Sequence, residues 1–425
     1  MDGVIMREAF EGAAVRIQSR IEELRQLSER EEWLERKVFS PAANQAAERI
    51  GEWMRAAGMA TFEDPFSNVV GLYPGGGLSA ESRRIHLGSH YDTVINAGSY
   101  DGVLGILVGL GVVELHRELG LQPGHPLSVI AFCDEEGVRF QSTFLGSAFL
   151  SGQFDPNLLY LTDAEGKTLE TWLRERGGSP EDLLTANPWI RARDVYLEVH
   201  IEQGPVLEAE GEAIGVFDGI AAQARYRVSL RGEAGHAGTT PRSLRKDALS
   251  GAAAMILAVE NLFEVDARVM ATVGKIEVLP GASNVIPGEV VFSLDLRHPE
   301  TERRDQLLET LKSQLEAIAQ ERGLNLAVKC IHKVDAVPCD EAIVEILTEA
   351  VAESGGRGLR MFSGAGHDAM KVAGVCPVGM VPVRCLKGLS HHPEEFASAE
   401  DCAAALRALF LAVRKIDERE DRWTA

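Results

Sequence analysis

Histidine and acidic side chains stand together at the end of one apolar segment of this chain. The stretch GSHYDTVINAGSYDGVLG, residues 88–105, begins within an apolar run that predicts a buried strand, and it contains His90, Asp92 and Asp101. Such groups are costly to bury without partners, so they must meet other polar groups, water or a metal ion. Imidazole and carboxylate together are ligands for divalent metal ions.

Four further segments place the same residue types where an apolar run ends. One strand-end histidine alone is most often structural, and one acidic cluster alone is most often a loop or a helix start. Several such strand ends at one sheet edge can form a metal site. Two histidines with a carboxylate hold one divalent ion, and a bridging carboxylate with one further histidine and one further carboxylate holds a second. The segments are VIAFCDEEG with Asp134, Glu135 and Glu136, VYLEVHIEQG with His200, Glu202 and Gln203, SGAGHDAM with His367 and Asp368, and GLSHHPEEF with His391 and His392.

The elements that must position these residues alternate between strand and helix. Residues 7–58 have helical spacing of apolar positions, and GVLGILVGLGVVELHREL, residues 102–119, predicts a buried helix. Strands alternating with helices predict an α/β fold whose functional groups gather at the carboxyl ends of strands. The predicted strands lie in SNVVGLYPG, RRIHLGSHYDTV, PLSVIAFCDEE and DVYLEVHIEQG.

The pattern changes after residue 215. Strands are expected at 224–233, 267–280 and 289–298, with an amphipathic helix over 243–263. A charged helix, ERRDQLLETLKSQLEAIAQERG, and the strand LNLAVKCIHKV complete the order βαββαβ, a unit that can fold alone. We therefore expect an inserted domain at 216–332 between two parts of a catalytic domain, 1–215 and 333–425.

Composition narrows the class of protein. A chain of 425 residues is expected to form two domains or one domain with a large insertion. Its net charge of −21 argues against nucleic acid or an anionic membrane as a partner. No signal peptide and no apolar run long enough for a bilayer are expected. The six cysteines show no CxxC pairing, which is typical of free thiols, so a cytoplasmic protein is expected.

Taken in order, the motifs carry a family resemblance over residues 38–415. The chain resembles the amidohydrolase branch of the dinuclear-metal aminopeptidase/carboxypeptidase superfamily, which includes N-carbamoyl-L-amino-acid hydrolases, allantoate amidohydrolases and β-ureidopropionases. The resemblance implies a metal-binding α/β domain with a mixed sheet layered by helices, interrupted by a ferredoxin-like lid that also forms a homodimer. The motifs are SHYDTVINAGSYDGVLG, DEEGVRF, HIEQGPVLE, AGHAGTTPR, SNVIPG, DLRHP, SGAGHDAM and SHHPEEF.

The resemblance also implies a site for two divalent ions per subunit, zinc, manganese, cobalt or nickel. Position by position it makes Asp101 the bridging ligand, with His90 and His200 on one ion. Asp92 would orient the His90 imidazole by accepting its second N–H. The remaining ligands, on the other ion, are Glu136 and His391.

In the same resemblance Glu135 is the general base. It would take a proton from the attacking water and return it to the leaving nitrogen. His236, in GHAGTTP, would reach the oxyanion from the lid of the partner subunit.

Further residues are implied for the substrate, a small ureido compound with a carboxylate. Arg297 can grip that carboxylate bidentately, which lysine does less well. Arg242 stands where relatives often have methionine. If it faces the pocket it could favour a second anionic group on the substrate, whereas exposure to solvent is the ordinary state of an arginine. The other implied substrate contacts are Gln203, Asn284, Gly366 and His367.

The leading hypothesis is hydrolysis of N-carbamoyl-L-amino acids to amino acid, ammonia and carbon dioxide. Allantoate and N-carbamoyl-β-alanine are the alternatives within the class. A metallo-aminopeptidase or dipeptidase is a further alternative, although HIEQG and GHAGTTP resemble the ureido-cleaving branch more. A non-catalytic metal-binding homologue would be expected to lack a ligand or the base, whereas this sequence has all five ligand positions and Glu135.

Overall fold

A computed structural model describes residues 3–76, 82–179 and 187–419. The chain divides into two compact units, the first Met1–Asp218 with Pro338–Ala425 and the second Gly219–Val337. The second unit is therefore continuous in sequence and interrupts the first. Its bounds differ by a few residues from the predicted 216–332, since the last long strand of the unit continues to Val334.

The elements are numbered in chain order. The strands are β1 (Ala60–Glu63), β2 (Val69–Tyr73), β3 (Ile85–His90), β4 (Leu127–Phe132), β5 (Val195–Ile201), β6 (Val216–Ile220), β7 (Ala222–Arg231), β8 (Gly235–His236), β9 (Met270–Thr272), β10 (Ile276–Leu279), β11 (Val285–Ile286), β12 (Glu289–His298), β13 (Asn325–Val334), β14 (Val337–Pro338), β15 (Arg360–Ser363) and β16 (Val378–Val383). The helices are α1 (Gly3–Arg25), α2 (Pro41–Ala56), α3 (Val103–Glu118), α4 (Leu145–Leu150), α5 (Leu169–Glu175), α6 (Val206–Glu210), α7 (Ala248–Glu260), α8 (Leu262–Val265), α9 (Thr301–Glu321), α10 (Glu341–Glu353), α11 (Ala369–Val372) and α12 (Ala399–Glu418).

The first unit is built on one mixed sheet. Its strand order is β1-β2-β4-β3-β5-β16-β6-β14, with β15 paired to β6. The central strands β4, β3, β5 and β16 are parallel to one another. Every residue of these four strands is buried, as expected for parallel strands covered by helices. The predicted α/β fold is confirmed.

Helices pack around the buried helix α3. Its sequence is apolar on nearly all sides, so it must be covered, and α1 and α12 pack on it while α3 packs on β3 and β5. The helix lies so close to the sheet that a Cβ at Gly105 would be 2.1 Å from the carbonyl oxygen of Val199. Only glycine allows this approach, which brings the start of α3 next to the strand ends.

The second unit is an antiparallel sheet with two main helices. The strand order is β10-β12-β7-β13, with β9 paired to β12, and the chain order of its long elements is βαββαβ. Side chains alternate between buried and half-buried along β12, so one face of the sheet packs on α7 and α9. This is the ferredoxin-like arrangement. The short strands β8 and β11 form a separate ribbon.

The helix expected at 243–263 begins later, at Ala248. The side chain of Asp247 caps it by accepting from the N–H groups of Leu249 and Ser250. The stretch Ala248–Val265 is long and apolar enough to cross a membrane by length and composition, so the expectation that no such run exists is wrong. Ala252, Met255 and Val259 are buried in the core of the second unit, which accounts for part of the apolar composition, since 33% of the stretch is buried.

Candidate metal centre

Four neighbouring parallel strands deliver the predicted ligands to one edge of the sheet. His90 is the last residue of β3, and His200 is the next-to-last residue of β5. Glu135 and Glu136 follow β4, and His391 follows β16. Because these strands are parallel, their carboxyl ends lie at the same edge.

Asp101 lies between two sets of ligands and presents one oxygen to each. Its Oδ1 is 3.1 Å from Nε2 of His200 and 3.8 Å from Nε2 of His90. Its Oδ2 is 3.2 Å from Nε2 of His391, which in turn is 3.5 Å from Oε1 of Glu136. Each set contains donor atoms within 4.8 Å of one another, which is close enough to surround a single ion. The structure thus brings together all five predicted ligands.

The inner set, formed by His90, His200 and Oδ1 of Asp101, has donor atoms that fit a cation. Nδ1 of His90 faces the carbonyl oxygen of Asp92 at 3.0 Å, and Nδ1 of His200 faces that of Ile201 at 2.9 Å, so each Nε2 points toward Asp101. Nε2 of His200 and Oδ1 of Asp101 are buried, and neither has a hydrogen-bond partner among the described residues. Two such electron-rich atoms 3.1 Å apart need a proton or a metal ion between them.

The buried charges of the centre are mostly negative. Burial raises the pKa of Glu135 well above its ordinary value, and the carboxylates of Glu136 and Asp368 raise it further. Burial and the charge of Asp101 raise the pKa of Glu136 to about 8. Burial would also raise the pKa of Asp101, but the imidazoles around it hold that pKa well below its ordinary value. Divalent cations would stabilise all these carboxylates in their charged form.

Asp92 connects the two loops that carry the acidic residues. Its carboxylate accepts hydrogen bonds of 3.1 Å from the main-chain N–H groups of both Glu135 and Glu136. The carboxylate is 3.8 Å from Nδ1 of His90, so the main-chain carbonyl of Asp92, not its side chain, orients that imidazole. The Asp92 side chain thus holds the loop that carries Glu135, and a role of Asp92 in catalysis stays a prediction.

Three residues of the centre have an unusual backbone. Asp134, Gln203 and His391 have φ values of 63°, 57° and 54°, in the left-handed region that non-glycine residues rarely adopt. They follow β4, β5 and β16, where the chain turns sharply to present its ligands. Strain of this kind is typical of functional sites.

Gln203 and His367, two predicted substrate contacts, lie beside the centre. The Gln203 amide donates to Oγ of Ser390 at 2.9 Å and to Oδ2 of Asp101 at 3.3 Å. The His367 ring packs edge-on against His200 at a centroid distance of 4.5 Å. Their contact with substrate stays a prediction, as does that of Gly366, where a Cβ would lie 2.8 Å from the nearby Phe144 ring.

The remaining predicted residues lie in the second unit. His236 and Asn284 are adjacent there, because the N–H of Ala237 donates to the carbonyl oxygen of Asn284 across the β8–β11 ribbon. Arg297 forms a bidentate ion pair with Asp295, with distances of 2.8 Å and 2.9 Å. The roles of His236, Asn284 and Arg297 toward a substrate stay predictions. Arg242 is exposed.

Two buried glutamates were missed as candidates. Glu395 accepts from the N–H groups of Tyr100 and Asp101, and nothing in HHPEEF distinguishes it from exposed Glu394. Glu198 accepts from the Ser89 hydroxyl, the Tyr196 hydroxyl and the N–H of Ala369. An acid inside the apolar strand VYLEVHI was the available signal for it.

A cavity of about 390 Å³ adjoins the centre within the first unit. It is large enough for part of a small molecule. Its walls combine aliphatic and polar side chains with the metal-ligand candidate Glu136. The lining residues are Val94, Ile95, Glu136, Gly137, Val138, Gln141 and Thr143.

Known proteins resemble this chain along nearly its whole length. The N-carbamoyl-L-amino acid amidohydrolase of Geobacillus stearothermophilus is 36% identical over 385 residues, which cover 91% of this chain and 94% of the relative. The allantoate deiminase of Arabidopsis thaliana is 38% identical over 426 residues, with coverages of 91% and 79%. The crystal structure of an amidase of the hydantoinase/carbamoylase family from Burkholderia multivorans has a TM-score of 0.89 and 32% identity, with coverages of 95% and 97%.

The profile of peptidase family M20/M25/M40 matches residues 86–415, which include every predicted metal ligand. All six cysteines are free thiols, as expected. The chain therefore belongs to the peptidase family M20/M25/M40, and it is an amidohydrolase.

Proposed function

We propose that this protein uses two divalent ions to hydrolyse the ureido C–N bond of N-carbamoyl-L-amino acids, giving amino acid, ammonia and carbon dioxide. The observation that carries the proposal is the carboxylate of Asp101, with Oδ1 toward His200 and Oδ2 toward His391. A carboxylate that faces two separate histidine sets is suited to bridge two ions. Zinc, manganese, cobalt and nickel all accept such ligands.

The residues of the chain have distinct tasks in this proposal. The ions, when bound, polarise water and the substrate carbonyl. Glu135 takes the proton of the attacking water and passes it to the leaving nitrogen. Its position next to Glu136 and its main-chain hydrogen bond to Asp92 keep it beside the ligands. His90, Asp101, Glu136, His200 and His391 hold the ions.

The second unit is proposed to act as a lid and to form a homodimer. His236 of the partner subunit would donate to the oxyanion, Arg297 would bind the substrate carboxylate, and Asn284 would bind a substrate oxygen. Among the described residues, nine of the eighteen exposed large hydrophobic side chains belong to this unit. Leu257 and Leu279 are examples, at 58% and 59% exposed. An apolar surface of this kind supports a protein–protein contact.

Allantoate is the second candidate substrate. It is favoured by the 38% identity to a relative named allantoate deiminase, which is as high as the identity to relatives named for N-carbamoyl-L-amino acids. Both substrates carry a carboxylate and a ureido group, so the same residues serve either one.

The six free thiols support a cytoplasmic location.

An ammonia-release screen tests the proposal. Purified protein loaded separately with each metal ion is assayed on N-carbamoyl-L-amino acids, allantoate, N-carbamoyl-β-alanine and a dipeptide panel, with and without a chelator. We expect chelator-sensitive ammonia release, highest on N-carbamoyl-L-amino acids. Higher activity on allantoate would select the second candidate. Dipeptide cleavage without ammonia release would refute ureido hydrolysis.

A further inference from the structure

We propose that Glu395 is a positioning residue for the metal centre, which holds Asp101 in the orientation that directs one carboxylate oxygen to each set of ligands. The inference rests on the two-ion part of the proposed function. It adds to the five ligands a buried acid that accepts a hydrogen bond from the main chain of the bridging residue.

Glu395 holds the segment before α3 by two hydrogen bonds. Its Oε1 accepts from the main-chain N–H of Tyr100 at 2.8 Å and from that of Asp101 at 2.9 Å. The Glu395 residue is only 4% exposed, so water does not readily replace these bonds. Two donors on one carboxylate oxygen fix the peptide plane at Asp101 and therefore the direction in which its side chain leaves the chain.

The segment that carries Glu395, residues 390–395, also contacts the carboxylate of Asp101. Oγ of Ser390 lies 3.4 Å from Oδ2 of Asp101, and the N–H of Glu395 donates to the carbonyl oxygen of His392 at 3.0 Å. Residues 390–395 thus form one folded turn that carries the ligand His391. The turn contacts Asp101 at its main-chain N–H through Glu395 and at its carboxylate through Ser390. The position of Asp101 and the position of His391 are set together.

Gly98 provides an independent observation. A Cβ at this position would lie 2.2 Å from Cδ and 2.4 Å from Cβ of Glu395, closer than any real contact. At Gly98 the chain therefore lacks a side chain that would displace the Glu395 carboxylate. The absence of a Cβ at Gly98 in AGSYD leaves the space that the Glu395 side chain of PEEF occupies.

The alternative is that Glu395 only fills space under the loop. The two roles differ in what an isosteric amide does. Glu395→Gln keeps a carbonyl oxygen that can accept both N–H groups, whereas Glu395→Ala removes the acceptor. The matched control is Glu394→Ala, which removes an exposed acid one position away.

The experiment measures metal affinity, not activity. Wild type and variants are stripped with a chelator and retitrated with Zn²⁺ or Mn²⁺ in competition with a chromophoric chelator, and circular dichroism follows unfolding of the stripped proteins. We expect Glu395→Ala to bind at least one ion about tenfold or more weakly while its stripped form stays folded. Glu395→Gln should stay within about threefold of wild type and Glu394→Ala should match it.

Gly98→Ala is the second variant, and it should weaken metal binding with Glu395 still present. Equal affinities in wild type, Glu395→Ala and Gly98→Ala would overturn the role of Glu395. Equal loss in the Gln and Ala variants would also overturn it, because the acceptor would then be irrelevant. Wild type that binds only one ion would refute the two-ion proposal itself. If Glu395→Ala does not fold, the other two variants test the role. Weaker metal binding by Gly98→Ala with near-wild-type binding by Glu395→Gln supports it, and unchanged binding by Gly98→Ala overturns it.

Discussion

The main-chain N–H of Glu135 donates a 3.1 Å hydrogen bond to Oδ1 of Asp92. This bond joins the loop after β4 to the loop after β3. The carboxylate of Asp92 thus holds the proposed base, Glu135, through the main-chain N–H of Glu135. The Glu135 side chain takes no part in this bond. Burial raises the pKa of the Glu135 carboxyl, and the neighbouring carboxylates of Glu136 and Asp368 raise it further.

Glu135→Gln should keep both metal ions yet lower kcat at least ~10²-fold, because only the group that moves the proton is changed. Metal content by atomic emission and steady-state kinetics on the same preparation check this. A fall in metal content that parallels the fall in activity would make Glu135 a ligand and contradict the assignment.

Asp101→Ala should lose both ions together, because each oxygen of the Asp101 carboxylate serves one set of ligands. The matched variant is His391→Ala, which should lose only the ion held by His391, Glu136 and Oδ2 of Asp101. Metal content after dialysis distinguishes the two variants. One tightly held ion in Asp101→Ala would rule out bridging.

Subunit exchange should restore activity between two inactive variants. Homodimers of His236→Ala and of Glu135→Gln are each expected to be nearly inactive. In an equal mixture about half of the dimers are hybrids with one complete site of two, so roughly a quarter of wild-type activity is the ceiling.

Exchange itself is verified by mass spectrometry of differently tagged subunits. A mixture that exchanges fully and stays inactive would show that His236 acts in its own subunit or has no part in the reaction.

Asn68→Ala should destabilise the protein by about 3 kcal/mol or more. Asn68 is fully buried, and its side chain bonds the N–H of Cys133, the carbonyl oxygen of Gly146 and the carboxylate of Asp64. The substitution leaves three buried polar groups without this partner. Chemical unfolding measures the change.

Asn157→Ala is the control for that measurement. Asn157 is exposed, and its amide bonds only the neighbouring Asp155 at 2.9 Å among the contacts of the described residues. Its replacement should change the free energy of unfolding by less than about 0.5 kcal/mol. Similar losses in both variants would show that burial of the Asn68 network contributes little.

The sequence predicted the α/β layers because apolar runs such as those of β4 and β5, alternating with helical segments, are typical of buried strands in a covered sheet. It predicted the inserted βαββαβ unit from the change of periodicity after residue 215. The ligand set was what the family resemblance of the ordered motifs implied, and the histidines and acids at strand ends agreed with it. Those features are local, so they can be read along the chain.

Other features depend on contacts between distant segments. Asp92 and Glu135 are 43 positions apart, and Asp101 and Glu395 are 294 apart. Local spacing could not show that the carboxylate of Asp92 bonds the Glu135 loop while its carbonyl orients His90. Nor could it show which of the adjacent acids Glu394 and Glu395 is buried, because that choice depends on where the turn at 390–395 meets the segment before α3.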